Sequence, residues 1–396
     1  MLHSLTLASR TPVLIALILG VCLVQVGNGI LQVLLPIRLA EAMAPPLAVG
    51  AVASGYSIGF IAGCWAAPWL IGRIGMVRAF GAFALLAGAV TVCLEVLPNP
   101  WAWTGMRVLM GMSYVGMLTV AESWLAARAG PGARGSVFSL YMVACKVAVV
   151  GGQMLLASPD LPGAWLIAAA AVCYALSLLP VAAVRELPPS MTAAQARMPW
   201  RYVRVSPVAF VGCLVIGLCN TAVTGIGPAY LAGMGHSATV IAVIMSGVQV
   251  GSTVVQWPIG RLSDRRDRRL VILALAGTSA ATALLIAAAG GASETILFVL
   301  FTLWGSAALS LYAICVAHAN DHAPPGEAVA LSSALLLSWA LGAALGPMLA
   351  TLAMECFGSR ALFVYVGAVS GVLALFSAWR RWRMPQQRDP PAPQRP

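Results

Sequence analysis

Twelve apolar stretches, each long enough to cross a bilayer, constrain this chain more than any other feature. A membrane helix needs about 20 mainly apolar residues to cover roughly 30 Å of hydrocarbon. Runs of that kind lie near 12–35, 47–70, 77–97, 101–125, 135–157, 164–184, 206–230, 238–260, 269–289, 294–317, 327–350 and 361–380. Composition agrees: 60% of the residues are hydrophobic and 9% are charged, against roughly 25% charged in a soluble domain. A water-soluble fold of this length cannot bury so much apolar surface. The first run is followed by Ala40-Glu41-Ala42, which mimics a signal-peptide cleavage site. The run itself is too long for a signal core of about 7–15 residues, so it reads as a true span. The expected fold class is an all-α integral membrane protein with 12 transmembrane helices.

Charge placement gives the orientation. With the N-terminus inside, one set of loops receives Arg73, Arg78, Arg128, Arg134, Arg185, Arg197, Arg201, Arg204, Arg261, Arg265, Arg266, Arg268 and Arg269. The tail adds Arg380, Arg381, Arg383, Arg388 and Arg395, whereas the other side holds only Arg38 and Arg360. This is the positive-inside pattern, with both termini cytoplasmic. The net charge of +11 therefore reports topology and contact with anionic membrane lipids. It does not point to nucleic acid. The nine Cys are scattered singly through apolar stretches. No CxxC pair signals a metal or a disulfide framework, so no metal site and no cofactor is expected.

The chain repeats itself. Asn28 and Pro36 in the first span are followed by Leu39, as Asn220 and Pro228 in the seventh are followed by Leu231. Trp69-Leu70-Ile71-Gly72-Arg73 after the second span mirrors Trp257-Pro258-Ile259-Gly260-Arg261 after the eighth. The polar stretch 185–205 separates six spans from six. The expected organisation is an N-terminal six-helix bundle over 1–184, a cytoplasmic linker over 185–205, a C-terminal six-helix bundle over 206–383 and a disordered tail over 384–396. Internal repeats with a site between them near the midplane are a carrier architecture.

The loop after the eighth span reads Gly260-Arg261-Leu262-Ser263-Asp264-Arg265-Arg266-Asp267-Arg268-Arg269 and resembles the signature loop of the major facilitator superfamily. The expected chemistry is a tight turn at Gly260, with Asp264 accepting from the exposed amides at the start of the fifth span, near Gly135 and Ser136. Arg261, Arg265 and Arg268 would pair with acids or lipid phosphates. The matching first-half loop keeps Gly72 and Arg73 but has no acid, which implies a weaker latch there. Arg107-Val108-Leu109-Met110-Gly111 is similar to the family's Arg-x-x-x-Gly element. The Gly-Pro element of drug–proton antiporters is missing from the fifth span, which ends Gly151-Gly152-Gln153. Ala121-Glu122-Ser123-Trp124-Leu125, Arg134-Gly135, Tyr141-Met142 and Ala317-His318-Ala319-Asn320-Asp321 resemble a narrower branch, the YcaD-like transporters of bacteria. The resemblance implies two six-helix bundles related by pseudo-twofold symmetry, in the bacterial cytoplasmic membrane. Some related carriers are associated with copper or riboflavin uptake.

Charges inside spans are costly, about 2.5–3.5 kcal/mol for Arg or Lys at a helix centre, so they belong in a polar cavity or beside a partner. Arg107, Lys146 and Glu122 are the three. Arg107 and Glu122 are separated by about 22 Å along one helix and cannot pair. Each also admits a structural role, in bracing helices or bonding loop amides. Glu122 is the candidate coupling residue, with the proton as candidate coupling ion. Gln25, Asn28 and Gln32 share one helical face. Tyr141 and Gln153 flank Lys146, and Asn220, Thr224, Gln249, Trp304, Tyr312 and Trp339 complete the candidate cavity, with Gln256 further along the eighth span. Met106, Met110 and Met112 form a candidate soft-ligand set for copper, although Met more often serves as packing.

The function expected is that of a secondary active transporter, a monomer, moving a small-molecule substrate. Two cations against one peripheral acid favour an organic anion. Copper or riboflavin-type uptake, and a transporter-shaped sensor or assembly factor that moves nothing, remain alternatives. An enzyme would need a nucleophile–base pair or metal cluster at membrane depth, and His3, His236, His318 and His322 all lie at span ends or in loops.

Overall fold

Backbone N–H and C=O groups find no water in hydrocarbon, so a lipid-embedded run must satisfy them internally as a helix. The computed structural model describes residues 2–129, 134–158, 161–184, 203, 205–323 and 327–383. Among them are twelve helices long and apolar enough to cross a membrane. We label them α1 (Pro12–Glu41), α2 (Pro46–Ile74), α3 (Met76–Val96), α4 (Pro100–Arg128), α5 (Gly135–Ala157) and α6 (Gly163–Ala182). The second set is α7 (Pro207–Gly233), α8 (Ala238–Arg265), α9 (Arg268–Ala288), α10 (Glu294–Asn320), α11 (Ala330–Phe357) and α12 (Ala361–Arg383). Apart from residues 203 and 205, the expected linker 185–205 lies outside the described residues, as does the expected tail 384–396. Local chemistry sets several starts. Asn99 caps α4 by accepting from the Trp101 and Ala102 amides, with Pro100 in the first turn. Asp267 caps α9 through the Arg269 amide.

Packing partners repeat when α1–α6 are exchanged for α7–α12. Helix α2 packs on α4 as α8 does on α10, α1 on α5 as α7 on α11, and α3 on α6 as α9 on α12. Between bundles, α2 meets α11, α5 meets α8, and α1 meets α7. The fold is therefore two six-helix bundles related by pseudo-twofold symmetry. Glycine permits the closest approaches. A Cβ on Gly59 would strike the Val108 carbonyl and one on Gly111 the Tyr56 carbonyl, locking α2 to α4. Gly305 meets the Val248 carbonyl at the equivalent α8–α10 contact. Small residues at such crossings are how membrane helices approach without a hydrophobic drive. The outward faces carry large exposed apolar side chains such as Leu375, Val147, Trp65 and Trp257, a surface suited to lipid and not to water.

Three features differ from the sequence expectation. Helix α8 runs straight through Gly260 to Arg265 and the chain turns at Arg266 and Asp267; nothing crowds Gly260 and its φ is ordinary, so no tight turn forms there. In the first half the turn falls at Gly75, whose φ of 83° suits glycine, and Gly72 is helical. The tenth span is broken at Leu309–Ser310 into Glu294–Ala308 and Leu311–Asn320, and the sixth at Ser177. At Ser177 the hydroxyl donates to the Tyr174 carbonyl at 2.6 Å.

The bundles touch mainly on the side away from the arginine-rich loops. There the Leu47 amide donates to Glu355 at 3.1 Å, and Gly50 abuts Thr351 and Pro347. Thr239 donates to the Ala157 carbonyl at 3.2 Å.

Candidate functional site

A cavity of about 400 Å³ lies between the bundles, walled by α1, α2, α4, α5, α7, α8, α10 and α11. Gln25, Asn28 and Gln32 all line it, as the three-and-four spacing on α1 requires. Arg107 and Glu122 on α4 line it too, as do Tyr141 and Lys146 on α5. From the second bundle come Asn220, Thr224, Gln249 and Trp339.

The polar groups are wired in short bonds. Lys146 Nζ donates to Gln249 Oε1 at 2.8 Å, across the bundle interface. Tyr114 donates to Gln25 Oε1 at 3.1 Å and Tyr141 to Glu122 Oε1 at 3.0 Å. Arg107, 8% exposed, lies with its guanidinium carbon 4.3 Å above the Tyr56 ring. Its Nε and Nη1 have no hydrogen-bond partner among the described residues. A cation over an aromatic face gains about 0.5–2 kcal/mol, more when desolvated, which offsets part of the burial cost. On the C-terminal side Thr224 donates to the Asn220 main-chain carbonyl at 2.8 Å, the Asn220 side-chain amide donates to the Ala308 carbonyl at 3.5 Å, and Asn220 Oδ1 has no hydrogen-bond partner among the described residues. Trp339 is met edge-on by Phe60 at 5.9 Å between ring centres.

Three candidates stand outside the wall. Gln153 is fully buried, donating to Gln32 Oε1 at 3.3 Å and accepting from Ser246 at 3.3 Å. Trp304 is fully buried. Tyr312 meets Trp339 edge-on, with ring centres 6.4 Å apart. Gln256 is exposed. Met106, Met110 and Met112 are likewise no part of the wall, and the described residues contain no His/Cys/Asp/Glu cluster fit for a metal. Sequence reasoning missed Tyr56, Tyr114 and Phe60. Tyr114 carried a usable signal: it lies seven residues from Arg107 and eight from Glu122, on the same stripe of α4.

The signature loop is wired within the second bundle. Asp264, 68% exposed, pairs with Arg268 at 3.2 Å, so the expected cap on α5 is not what Asp264 makes in this conformation. Arg268 also bonds Asp321 at 2.6 Å and Ser263 at 3.2 Å, while Arg381 meets Asp267 at 3.5 Å. Arg261 stacks on Trp257 at 3.7 Å, and Arg73 on Trp69 at 4.6 Å. Gly260 and the exposed Arg265 lie in the last turns of α8.

Two like bundles around a polar chamber, with charge held at membrane depth, define the architecture of a solute carrier. The sequence profile of the Major Facilitator Superfamily matches residues 17–248 and again 231–396, and this chain belongs to that family of transporters. It is similar to the MFS-type transporter YcaD of Salmonella enteritidis, 27% identical over 376 residues that cover 93% of this chain and 96% of the relative. An MFS-type transporter of Enterobacter sp. is 27% identical over 366 residues, 92% of this chain and 94% of that one. Among solved structures, the nucleoside transporter NupG superposes with a TM-score of 0.78 at 13% identity, covering 93% of this chain and 98% of NupG. A D-xylose–proton symporter gives a TM-score of 0.70 at 14% identity, covering 93% and 97%.

Proposed function

We propose that the chain carries a small organic anion across the bacterial cytoplasmic membrane by alternating access, with both termini on the cytoplasmic side. Fold alone does not choose a cargo, so the argument rests on the cavity. The observation that carries it is Lys146: an ammonium at mid-membrane whose protein partner is a neutral amide. Arg107 adds a second cation with two nitrogens, Nε and Nη1, unpartnered among the described residues, and Glu122, the one carboxylate in the wall among the described residues, is engaged with Tyr141. Fields of this sign in a low-dielectric chamber favour an anion and oppose a cation. Tyr56, Tyr114, Phe60 and Trp339 suit a cargo with a flat or apolar part. Glu122 is the candidate proton carrier. The arginine asymmetry supports the orientation.

Calorimetry with benzoate and the size-matched cation benzylammonium tests the reading on wild type and Lys146→Ala. Losing a hydrogen bond to a charged group costs about 1.5–3 kcal/mol, so benzoate affinity should fall roughly 10–100-fold. A benzylammonium that binds the wild type well and ignores the substitution would sink the anion reading.

A further inference from the structure

Gln153, turned away from the cavity, belongs to a second array. Along the antiparallel seam of α5 and α8, three hydrogen bonds join the bundles. Lys146 Nζ donates to Gln249 Oε1 at 2.8 Å, Ser246 Oγ to Gln153 Oε1 at 3.3 Å, and Thr239 Oγ1 to the Ala157 carbonyl at 3.2 Å. From Lys146 to Ala157 the rungs climb about 16 Å of helix, from the centre of the protein to the end away from the arginine-rich loops. The two outer rungs are neutral and lie behind the wall. Lys146 and Gln249, the inner rung, are part of the wall itself.

The chemistry of that inner rung is directional. An ammonium only donates, so the amide must offer it Oε1. Gln249 Nε2 and its two N–H are thereby turned away from Lys146, and they donate to no acceptor among the described residues. The ammonium keeps two further N–H. Donors from two different bundles thus border the same chamber at one point.

We infer that Lys146 and Gln249 form a composite anion-binding point across the seam, so that a bound carboxylate, sulfonate or phosphate group holds α5 to α8 and keeps that side shut. The inference rests on the anionic cargo proposed above. A ligand shifts a conformational equilibrium only by its differential affinity for the two states. With the seam closed the anion takes N–H from both bundles. With it open, the amide has left with the second bundle and the ammonium acts alone. Affinity is therefore higher in the closed state, and opening the seam releases the cargo. Gln249 is both a contact for the anion and the residue that positions Lys146.

The experiment uses the full chain in lipid nanodiscs, with the exposed native Cys64, Cys93 and Cys356 replaced by serine. Spin labels at Leu161→Cys and Ala238→Cys, exposed positions at the outer end of the seam, report its opening by electron–electron distance. Benzoate should raise the short-distance fraction in wild type, and benzylammonium should not. In Gln249→Ala, benzoate should bind roughly tenfold more weakly, the loss expected for one hydrogen bond to a charged group, and should no longer shift the distances. In Gln249→Glu, the new carboxylate should close the seam without ligand and abolish benzoate binding. If benzoate binds wild type yet leaves the distances unchanged, or shifts them equally in Gln249→Ala, this inference falls while the anion reading stands. A Gln249→Glu seam no more closed than wild type also counts against it. If benzoate does not bind wild type at all, both fall together.

Discussion

The two halves of this protein share a packing plan and divide the chemistry. Helix contacts and glycine crossings repeat from one half to the other, whereas the charges that line the cavity, Arg107, Glu122 and Lys146, all come from the first. The second half faces them with neutral groups, Asn220, Thr224, Gln249 and Trp339. At the arginine-rich end the division reverses. The second half is clasped by Arg268 between Asp264 and Asp321 and by Arg381 on Asp267, where Arg73 of the first half merely stacks on Trp69. Backbone geometry is costly to alter, so both copies keep it; polar wiring is free to diverge once one copy supplies what the site needs.

If the packing plan is truly shared, overpacking should hurt either half alike. Gly111→Val and Gly305→Val each drive a side chain into a facing carbonyl. Both should lose at least the usual 1–3 kcal/mol of overpacking and most of the monodisperse protein on size-exclusion chromatography. Gly151→Val, on an open face of α5, should behave as wild type. A large difference between the Gly111 and Gly305 variants would break the symmetry at its base.

The functional division is sharpened by Glu122. In Glu122→Gln, gradient-driven accumulation in proteoliposomes should fall about a hundredfold, the lower end of what a positioned proton-transfer group contributes, while cargo exchange without a gradient survives. Uphill transport that persists in the variant would make Glu122 a structural partner of Tyr141.

Smallest are the effects at the clasp. Arg268→Gln removes a cation shared by two acids and should cost about 1–2 kcal/mol, above the median of about 0–1 for a single surface pair. Asp264→Asn, at an exposed i,i+4 pair, should cost about 0.3–0.5 kcal/mol, and Arg73→Ala about as little. Thermal unfolding ranks the three, and equal losses at Arg268 and Arg73 would contradict the asymmetry.

Span number and the internal repeat were legible because hydropathy over twenty residues is a strong signal and the Asn–Pro and Trp–Gly–Arg pairs recur at matched offsets. The helix faces were less so. A soluble helix declares its buried face by polarity, but a lipid-facing helix is apolar all round, and so Trp304 and Tyr312 could be placed on a span without showing that they miss the cavity. Gln153 misled for a different reason, since a polar residue that bonds across helices looks the same in sequence as one that meets a solute. The break at Leu309–Ser310 has neither Gly nor Pro to mark it. Helix α8 passes Gly260 because its neighbours leave room for an ordinary helical backbone there, so the glycine alone did not dictate a turn.

Lys146 and Arg107 also make this protein an electrical object. They lie within spans, where a membrane potential drops, and an elementary charge carried through the whole of a 100 mV drop changes in energy by about 2.3 kcal/mol. Rocking the first bundle moves both along whatever part of that field it sweeps. A cargo that neutralises Lys146 cancels some of this work; an empty carrier returns with its charge bare. With Glu122 in one charge state on both strokes, the unloaded stroke is the more steeply voltage-dependent of the two; a proton taken up by Glu122 together with the cargo makes the two strokes carry equal charge.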